Sequence, residues 1–490
     1  MTVAVFTVGC RLNQAESDCL RGRLLSSGAD IVPGWGCLPY MSPDGDACPT
    51  SIYINTCAVT RSAERSSLAL IRQACRLKPK PKVVVLGCLA QSAPERVRAI
   101  AGVDEVWSNQ QKQVLIDRVC PVPSRSRALL KVQDGCDRGC AFCLPSRLRG
   151  APVSVPINLV VEQFDRLLLS GFQEVVLTGL NLCRYQSEGK GLAGLLSALL
   201  KRPGRFRIRL ASLEPDLIDD ELIALFADPK ICAHFHLPLQ SADEKILFRM
   251  GRCYTVNDYA RRLEQLLRVK PDACIGADVI VGFPGEDDAS FARTYDFLLA
   301  SAVSYLHVFP YSLRPGTPAF QFGDPVPREK KAERVRKLRQ LSEEKRLKYA
   351  RRFCGQVREA VSEPGARALT DNYLRLSPDA ACIGARRNAC PTLLSPDGDA
   401  RLKPCPTLLA SGLSSGADIV PGWGCKAKAL NLQVCFARKT GGYQPGKLVC
   451  MEINIRGEKI IGRMREDRAI CKPKGLPYKV RGVWGQKRND

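Results

Sequence analysis

The sequence predicts an α/β protein with three parts: an N-terminal open parallel α/β domain, a central incomplete (β/α)6 barrel and a small C-terminal all-β domain. Over the first two parts, short apolar runs alternate with helical patterns, which is typical of parallel strands joined by crossover helices. The third part consists of short strand-like runs separated by turns. A chain of 490 residues is longer than the chains that usually fold around a single hydrophobic core, which favours several domains.

The N-terminal domain is predicted over residues 1–125 from three strand–helix units. The strands are predicted at Thr2–Val8, Ser51–Asn55 and Lys82–Leu86, and the helices at Asn13–Leu25, Arg61–Arg76 and Ala93–Ile100. A cysteine follows each strand: Cys10, Cys57 and Cys88. Because the carboxyl ends of parallel strands share one edge, where ligands bind, we expect the three thiols to be neighbours in space. Three separate structural cysteines are the simpler alternative.

A repeated segment interrupts this domain. Ser26–Cys37 recurs unchanged at Ser414–Cys425, and shorter repeats lie near both copies. The copies lack strand or helix periodicity and do not recur at the regular period of a packed structural repeat. We therefore expect surface-loop inserts at about 28–50 and about 377–425, since long connections cost little free energy.

The central barrel, with a basic C-terminal helix, is predicted over residues 126–352. Six strands are expected near 128–134, 174–179, 205–211, 234–239, 275–282 and 303–311. The helices between them are expected near 157–170, 191–201, 217–227, 243–250, 256–269 and 288–301, before the Arg- and Lys-rich helix Pro327–Arg352. Six units form an incomplete barrel, and chemistry is expected at the C-terminal ends of its strands.

The first loop of this barrel carries Cys136, Cys140 and Cys143 directly after an apolar strand. A loop this short can wrap three thiolates around one metal centre. Structural zinc sites and ordinary four-iron clusters take four protein ligands, and the three histidines lie far downstream. A four-iron cluster held by three cysteines keeps one iron open for another ligand. A zinc site completed by a distant residue is the alternative.

The amino-acid composition indicates the cellular compartment and the class of binding partner. The chain has 23 cysteines and a formal net charge of +24. It has no apolar run of the ~20 residues that span a membrane, and its start lacks the features of a signal peptide. We expect a cytoplasmic protein, not bound to a membrane, whose cysteines are thiols or metal ligands. The excess positive charge favours a nucleic-acid partner.

The cysteine motifs resemble those of the radical S-adenosylmethionine methylthiotransferases. The resemblance is carried by Gly9-Cys10 with Asn13-Gln14, by Asn55-Thr56-Cys57, by Gly87-Cys88 and by the Cys-x3-Cys-x2-Cys loop. It implies two [4Fe–4S] clusters and S-adenosyl-L-methionine as cofactors. Cys136, Cys140 and Cys143 would hold the cluster whose open iron binds S-adenosylmethionine, and Cys10, Cys57 and Cys88 a second cluster linked to sulfur insertion.

The same resemblance extends over the barrel loops and the C-terminal part. It implies cofactor contacts from Asn181, Ser212, Glu214, Gln240 and Asp278, although strand-end and capping roles would explain each one singly. Residues 353–465 resemble the TRAM domain, an RNA-binding β-domain, and residues 466–490 form a basic tail. Two departures from the family pattern, Pro145-Ser146-Arg147 and Ala242, leave the predicted ligands untouched.

The tract His307–Ala319 resembles the branch that acts on transfer RNA bearing N6-threonylcarbamoyladenosine. The implied reaction adds a methylthio group to C2 of that nucleoside at position 37, next to the anticodon, by 5′-deoxyadenosyl radical chemistry. The implied partners are the tRNA anticodon loop, an electron donor and a sulfur source. Two alternatives stay open: the same chemistry on isopentenyladenosine tRNA or a ribosomal protein, and a non-catalytic zinc-containing RNA-binding protein.

Overall fold

The computed structural model describes residues 1–32, 49–364, 367–377, 433–435, 448–456 and 459–464. The strands are β1 Thr2–Thr7, β2 Asp30–Ile31, β3 Ser51–Thr56, β4 Lys82–Gly87, β5 Glu105–Val106, β6 Ala128–Lys131, β7 Gln133–Asp134, β8 Val153–Ser154, β9 Glu174–Thr178, β10 Arg207–Leu210, β11 His234–His236, β12 Cys274–Val281, β13 Tyr305–Pro310, β14 Val357–Glu363, β15 Arg367–Thr370, β16 Arg375–Leu376, β17 Gln433–Cys435, β18 Leu448–Arg456 and β19 Lys459–Met464.

The α-helices alternate with these strands through the first two thirds of the chain. They are α1 Arg11–Ser26, α2 Arg61–Cys75, α3 Cys88–Ser92, α4 Pro94–Arg98, α5 Asn109–Ile116, α6 Leu144–Arg149, α7 Ile157–Leu169, α8 Leu192–Leu200, α9 Asp220–Leu225, α10 Glu244–Arg249, α11 Val256–Val269, α12 Asp288–Ala300 and α13 Arg328–Arg351. None of the helices in the described ranges is both long enough and apolar enough to cross a membrane.

The N-terminal sheet is parallel throughout, in the order β2-β1-β3-β4-β5. The predicted open parallel sheet is therefore confirmed. Two details differ from the sequence prediction. The helix predicted at Ala93–Ile100 is the shorter Pro94–Arg98, with proline at its first position, and a separate short helix that was not predicted, Cys88–Ser92, precedes it. Asp30–Ile31, predicted to lie in a surface loop, is an edge strand paired with Thr2 and Val3. The rest of that insert, 33–48, lies outside the described residues.

Six parallel strands form the barrel. Two three-stranded sheets, β6-β9-β10 and β11-β12-β13, are joined by isolated parallel bridges between Ile208 and Ile231 and between Ser212 and His236. Strands β6 and β13 are the free edges, so the barrel is incomplete as predicted. Fully buried strands such as β9 lie on a core shared with the surrounding helices, and this rigid frame fixes where each loop begins.

A C-terminal antiparallel sheet packs against the barrel, and buried arginines of the barrel donate hydrogen bonds to its backbone. Its described strands lie in the order β16-β15-β14-β18-β19-β17, except that β17 and β19 are parallel. Arg209 of β10 donates hydrogen bonds to the carbonyl oxygens of Thr370 and Asp371, and its charge is balanced by Glu174 of β9. The predicted second insert, apart from Ser377, and the predicted tail lie outside the described residues.

Candidate active site

The three cysteines of the N-terminal domain lie at the carboxyl ends of its central strands. Cys10 caps the start of α1, Cys57 follows β3, and Cys88 is the first residue of α3. The loops approach closely: a Cβ atom added at Gly9 would lie 2.7 Å from Cys57 Cβ and 3.0 Å from its Sγ. Gly9 also has φ +112°, which side chains rarely adopt, so this position requires glycine.

The thiols of this N-terminal trio influence one another electrostatically. Burial, with smaller contributions from the neighbouring Cys88 and Cys10, raises the pKa of Cys57 to about 12. Burial also raises the pKa of Cys88, while Arg149 opposes the rise at both buried thiols. The structure thus brings together three cysteines that are far apart in sequence, in a buried setting where thiolates need a cation or metal to be stable.

The barrel trio sits on a loop held at both ends by backbone hydrogen bonds. The Cys136 N–H donates to Gly150 O at 3.0 Å, the Cys143 N–H to Cys140 O at 3.0 Å, and the Ala141 N–H to Met250 O at 2.9 Å. Cys143 then serves as the N-cap position of α6. This network fixes the loop before any ligand is added, so the three thiols are preorganised.

Polar groups surround this loop and influence its thiols. Burial raises the pKa of Cys143 to about 11, and Cys140 and Cys136 contribute to the rise. The Arg252 guanidinium donates to Cys140 Sγ at 3.2 Å. Asn181 Nδ2 lies 3.7 Å from Cys136 Sγ, and its buried Oδ1 has no hydrogen-bond partner among the described residues. A buried side-chain carbonyl without a partner in those residues, next to Cys136, is suited to accept from an incoming ammonium group.

Glu214, a predicted cofactor contact, lies beside the same loop but is held in an ion network. It accepts from Arg252 and lies 3.6 Å from Arg138 Nε, and Arg138 also pairs with Asp216. The Glu214 carboxylate raises the pKa of Arg252, so this cation remains charged next to Cys140. Sequence reasoning missed Arg252 and Arg138, because only the three-dimensional fold brings them to the cysteine loop.

The other predicted contacts lie further around the strand ends. Ser212 follows β10 and is exposed, and it bridges to His236 of β11. Gln240 is buried with φ +67°, and its N–H donates to Asp278 O at 2.7 Å. Asp278 Oδ1 contacts His236 Nε2 at 2.9 Å and His307 Nδ1 at 3.3 Å, and both imidazoles lower the pKa of its carboxyl. The structure therefore places Ser212 and Asp278 beside histidines, and Gln240 beside Asp278.

The donor sets allow a test of which metal group fits. In the part of the chain that the structure describes, the three-residue group whose ligand atoms all lie within 4.8 Å is His236, Asp278 and His307, and no cysteine trio meets that limit. One tetrahedral zinc ion with Zn–S bonds of ~2.3 Å requires sulfur atoms ~3.8 Å apart. Neither cysteine trio in the described part of the chain is therefore drawn in around one zinc ion. Three thiols per site are the kind of donor set that holds iron–sulfur clusters.

Two family models match the chain. Residues 130–298 match the radical SAM superfamily, whose members use S-adenosylmethionine and a [4Fe–4S] cluster. Residues 2–108 match the uncharacterized protein family UPF0004. The first match contains the loop with Cys136, Cys140 and Cys143. The second contains Cys10, Cys57 and Cys88.

A solved structure supports the fold alone. The radical S-adenosylmethionine methyltransferase TsrM from Kitasatospora setae, solved with cobalamin and a [4Fe–4S] cluster bound, has a TM-score of 0.50 and 16% identity. That likeness covers 65% of this chain and 76% of that one.

Curated relatives match over most of their own length. Threonylcarbamoyladenosine tRNA methylthiotransferase MtaB from Thermotoga maritima is 33% identical over 74% of this chain and 86% of its own. The Aquifex aeolicus protein of that name is 36% identical over 76% of this chain and 96% of its own. The Bacillus subtilis protein of that name is 34% identical over 76% of this chain and 90% of its own. The chain belongs to the radical S-adenosylmethionine methylthiotransferase family, and it resembles the threonylcarbamoyladenosine tRNA branch of that family.

Proposed function

We propose that this protein adds a methylthio group to C2 of N6-threonylcarbamoyladenosine at position 37 of tRNA. The observation that carries the proposal is the pair of cysteine trios, Cys10/Cys57/Cys88 and Cys136/Cys140/Cys143, each at the carboxyl ends of parallel strands. Three ligands per four-iron cluster leave one coordination position for a reactant. The names of the relatives supply the nucleoside.

The cofactors supply the difficult step, in which a 5′-deoxyadenosyl radical from S-adenosylmethionine removes hydrogen from an unactivated carbon. The protein holds and shields the reactants. Asn181 Oδ1 is available to accept from the cofactor's amino group, and Arg252 Nη1, beside Cys140, is a fixed cation for its carboxylate. Ser212, Glu214, Gln240 and Asp278 remain proposed contacts to the rest of the cofactor. The sulfur source and the electron donor are separate partners.

RNA binding is proposed for the basic face of α13 and for the C-terminal sheet. Arg336 and Arg339 are exposed on α13, while Val335, Leu338 and Leu341 are buried against the barrel. A helix anchored on its apolar side and cationic on the other can contact phosphates without losing its packing. The target base must leave the anticodon loop to reach the strand ends, which costs less in a single-stranded loop than in a duplex.

The deciding experiment compares tRNA substrates. The reconstituted protein is incubated with S-adenosylmethionine, a reductant and tRNA that carries or lacks the threonylcarbamoyl group, and the nucleosides are analysed by mass spectrometry. We expect the methylthio group only on the tRNA that carries threonylcarbamoyladenosine. Product on isopentenyladenosine tRNA or on a ribosomal protein, with none on this substrate, would overturn the substrate assignment.

Metal analysis tests the alternative of a non-catalytic zinc protein. After anaerobic reconstitution we expect about eight irons and eight sulfides per chain, for two four-iron clusters. Stoichiometric zinc that resists reconstitution would favour the zinc-containing RNA-binding protein. The described residues hold no cysteine trio compact enough for a single zinc ion, which supports the iron–sulfur assignment.

A further inference from the structure

A fully buried ion network connects the N-terminal domain to the barrel. Glu16 of α1 has a side-chain exposure of 0%. Its carboxylate accepts from Lys112 Nζ at 2.7 Å, from Lys131 Nζ at 3.0 Å and from Arg149 Nη1 at 2.8 Å. Lys112 belongs to the N-terminal domain, whereas Lys131 and Arg149 flank the cysteine loop of the barrel. The network therefore joins the elements that carry the two cysteine trios.

This network contains more positive than negative charge. Asp134 is the second carboxylate; it lies 2.7 Å from Lys131 Nζ and 2.9 Å from Arg149 Nη1. When Lys112, Lys131 and Arg149 are all protonated, three cations share two carboxylates and leave one net positive charge in a buried region. Burial lowers the pKa of Lys112, the direction expected where a buried cation lacks a full counter-charge. An uncompensated buried charge is costly, so this surplus calls for an anion nearby.

The surplus charge faces the N-terminal cysteines. Arg149 Nη2 donates to Asn13 Oδ1 at 2.8 Å, and the same oxygen lies 4.0 Å from Cys10 Sγ. Asn13 Nδ2 in turn donates to Val8 O at 3.0 Å and to Thr56 O at 2.9 Å, which ties together the strand ends beside Cys10 and Cys57. Arg149 also acts on the thiols of Cys57 and Cys88, and Lys112 on that of Cys88.

We propose that Arg149 is a positioning residue that supplies the counter-charge for an anionic cluster on Cys10, Cys57 and Cys88. This inference rests on the proposed function. A four-iron core in its 2+ state with three thiolates carries one net negative charge, which matches the surplus of the network. Net charge and hydrogen bonding set the potential of such clusters, so the network raises the reduction potential of the N-terminal cluster. Arg149 lies six residues after Cys143. The same segment of the barrel therefore carries Cys136, Cys140 and Cys143 and places a positive charge beside the N-terminal trio.

The test measures the midpoint potential of the N-terminal cluster by EPR-monitored titration of the full-length protein. Substituting alanine for Cys136, Cys140 and Cys143 removes the other cluster from the signal. In this background, Arg149→Gln and Lys112→Gln each remove one positive charge, and Glu16→Gln removes one negative charge. Arg149→Lys keeps the charge, and Arg98→Gln, on the exposed face of α4, is the matched control.

The sign of the change in midpoint potential distinguishes an electrostatic effect of the substitution from damage to the fold. We expect Arg149→Gln and Lys112→Gln to lower the potential and Glu16→Gln to raise it, with Arg149→Lys and Arg98→Gln near the unsubstituted value. A unit charge within about 10 Å at an effective dielectric constant of ~20 changes the ratio of oxidised to reduced cluster roughly tenfold. For a one-electron couple that ratio corresponds to about 59 mV.

Two results would overturn the inference in distinguishable ways. If the background protein binds the cluster and the charge-removing variants leave its potential unmoved, or all move it in one direction, the counter-charge role is wrong and the proposed function stands. If the background protein binds no cluster at all, the proposed function fails and the inference fails with it. Should Arg149→Gln not fold, Lys112→Gln carries the same change of charge without contacting Asn13.

Discussion

Replacing Glu174 with Gln should weaken the docking of the C-terminal sheet on the barrel. The Glu174 side chain is fully buried and accepts from Arg207 Nε at 2.6 Å and from Arg209 Nε at 2.7 Å. These two arginines in turn donate to the carbonyl oxygens of Leu369, Thr370 and Asp371 in the C-terminal part. The Glu174 carboxylate is therefore the counter-ion of the two arginines that connect the barrel to the C-terminal sheet.

The expected loss is large because Arg209 is fully buried and would be left without its counter-ion. Breaking a buried pair by removing one partner costs about 3–5 kcal/mol. That is roughly a hundredfold to several thousandfold in the equilibrium between docked and undocked forms. Hydrogen exchange of the amides in 367–376 measures this opening directly.

The pH dependence gives the same prediction a second readout. The arginines hold the pKa of Glu174 well below its usual value, so the carboxylate contributes stability above the unfolded pKa. In the unsubstituted protein this contribution falls as the pH drops through the acidic range, and in Glu174→Gln it is absent at every pH.

A control variant shows how much hydrogen exchange changes when an exposed carboxylate is removed instead of Glu174. Glu95→Gln removes an exposed carboxylate paired with Arg98, and we expect no measurable change in exchange. If Glu174→Gln protected 367–376 as well as the unsubstituted protein does, the claim that this carboxylate secures the interface would be refuted.

Three further predictions concern the cysteine trios and their surroundings. Cys57→Ser and Cys136→Ser should each lower the iron content from about eight to about four per chain, measured after anaerobic reconstitution; loss of all iron in either one would contradict two independent clusters. Arg252→Gln should weaken S-adenosylmethionine binding tenfold or more in calorimetry, since a hydrogen bond to a charged group is worth about 1.5–3 kcal/mol, and equal affinity would exclude Arg252 from the site. Arg339→Gln should reduce the salt dependence of tRNA affinity by about 0.9 in the log–log slope if it contacts one phosphate; an unchanged slope would remove α13 from the RNA interface.

The parallel strands were predictable because most of the buried strands coincide with short, largely apolar runs of residues in the sequence. The strands of the barrel agree with the apolar runs to within a few residues, for example Glu174–Thr178 against the predicted 174–179. Such runs are buried on both faces and need no long-range information to be recognised. The positions of the cysteines after the strands followed from the same pattern.

The charged side chains around the cysteines were not predictable. Glu16 lies in a helix whose sequence reads as half-exposed, yet it is fully buried because Lys131 and Arg149, more than a hundred residues away, close over it. Arg252 contacts Cys140 across 112 positions. Strand β5 was missed for another reason: two residues, Glu105 and Val106, are too short to show alternation.

The central claim is that a radical S-adenosylmethionine site and a second thiolate-held cluster cooperate on one modified nucleoside. Mass analysis of position 37 in tRNA from cells lacking the protein tests it most directly. We predict that N6-threonylcarbamoyladenosine accumulates without its methylthio group and that the unsubstituted gene, but not Cys57→Ser, restores the modification. Full methylthiolation in those cells, or restoration by the Cys57→Ser variant, would contradict the account.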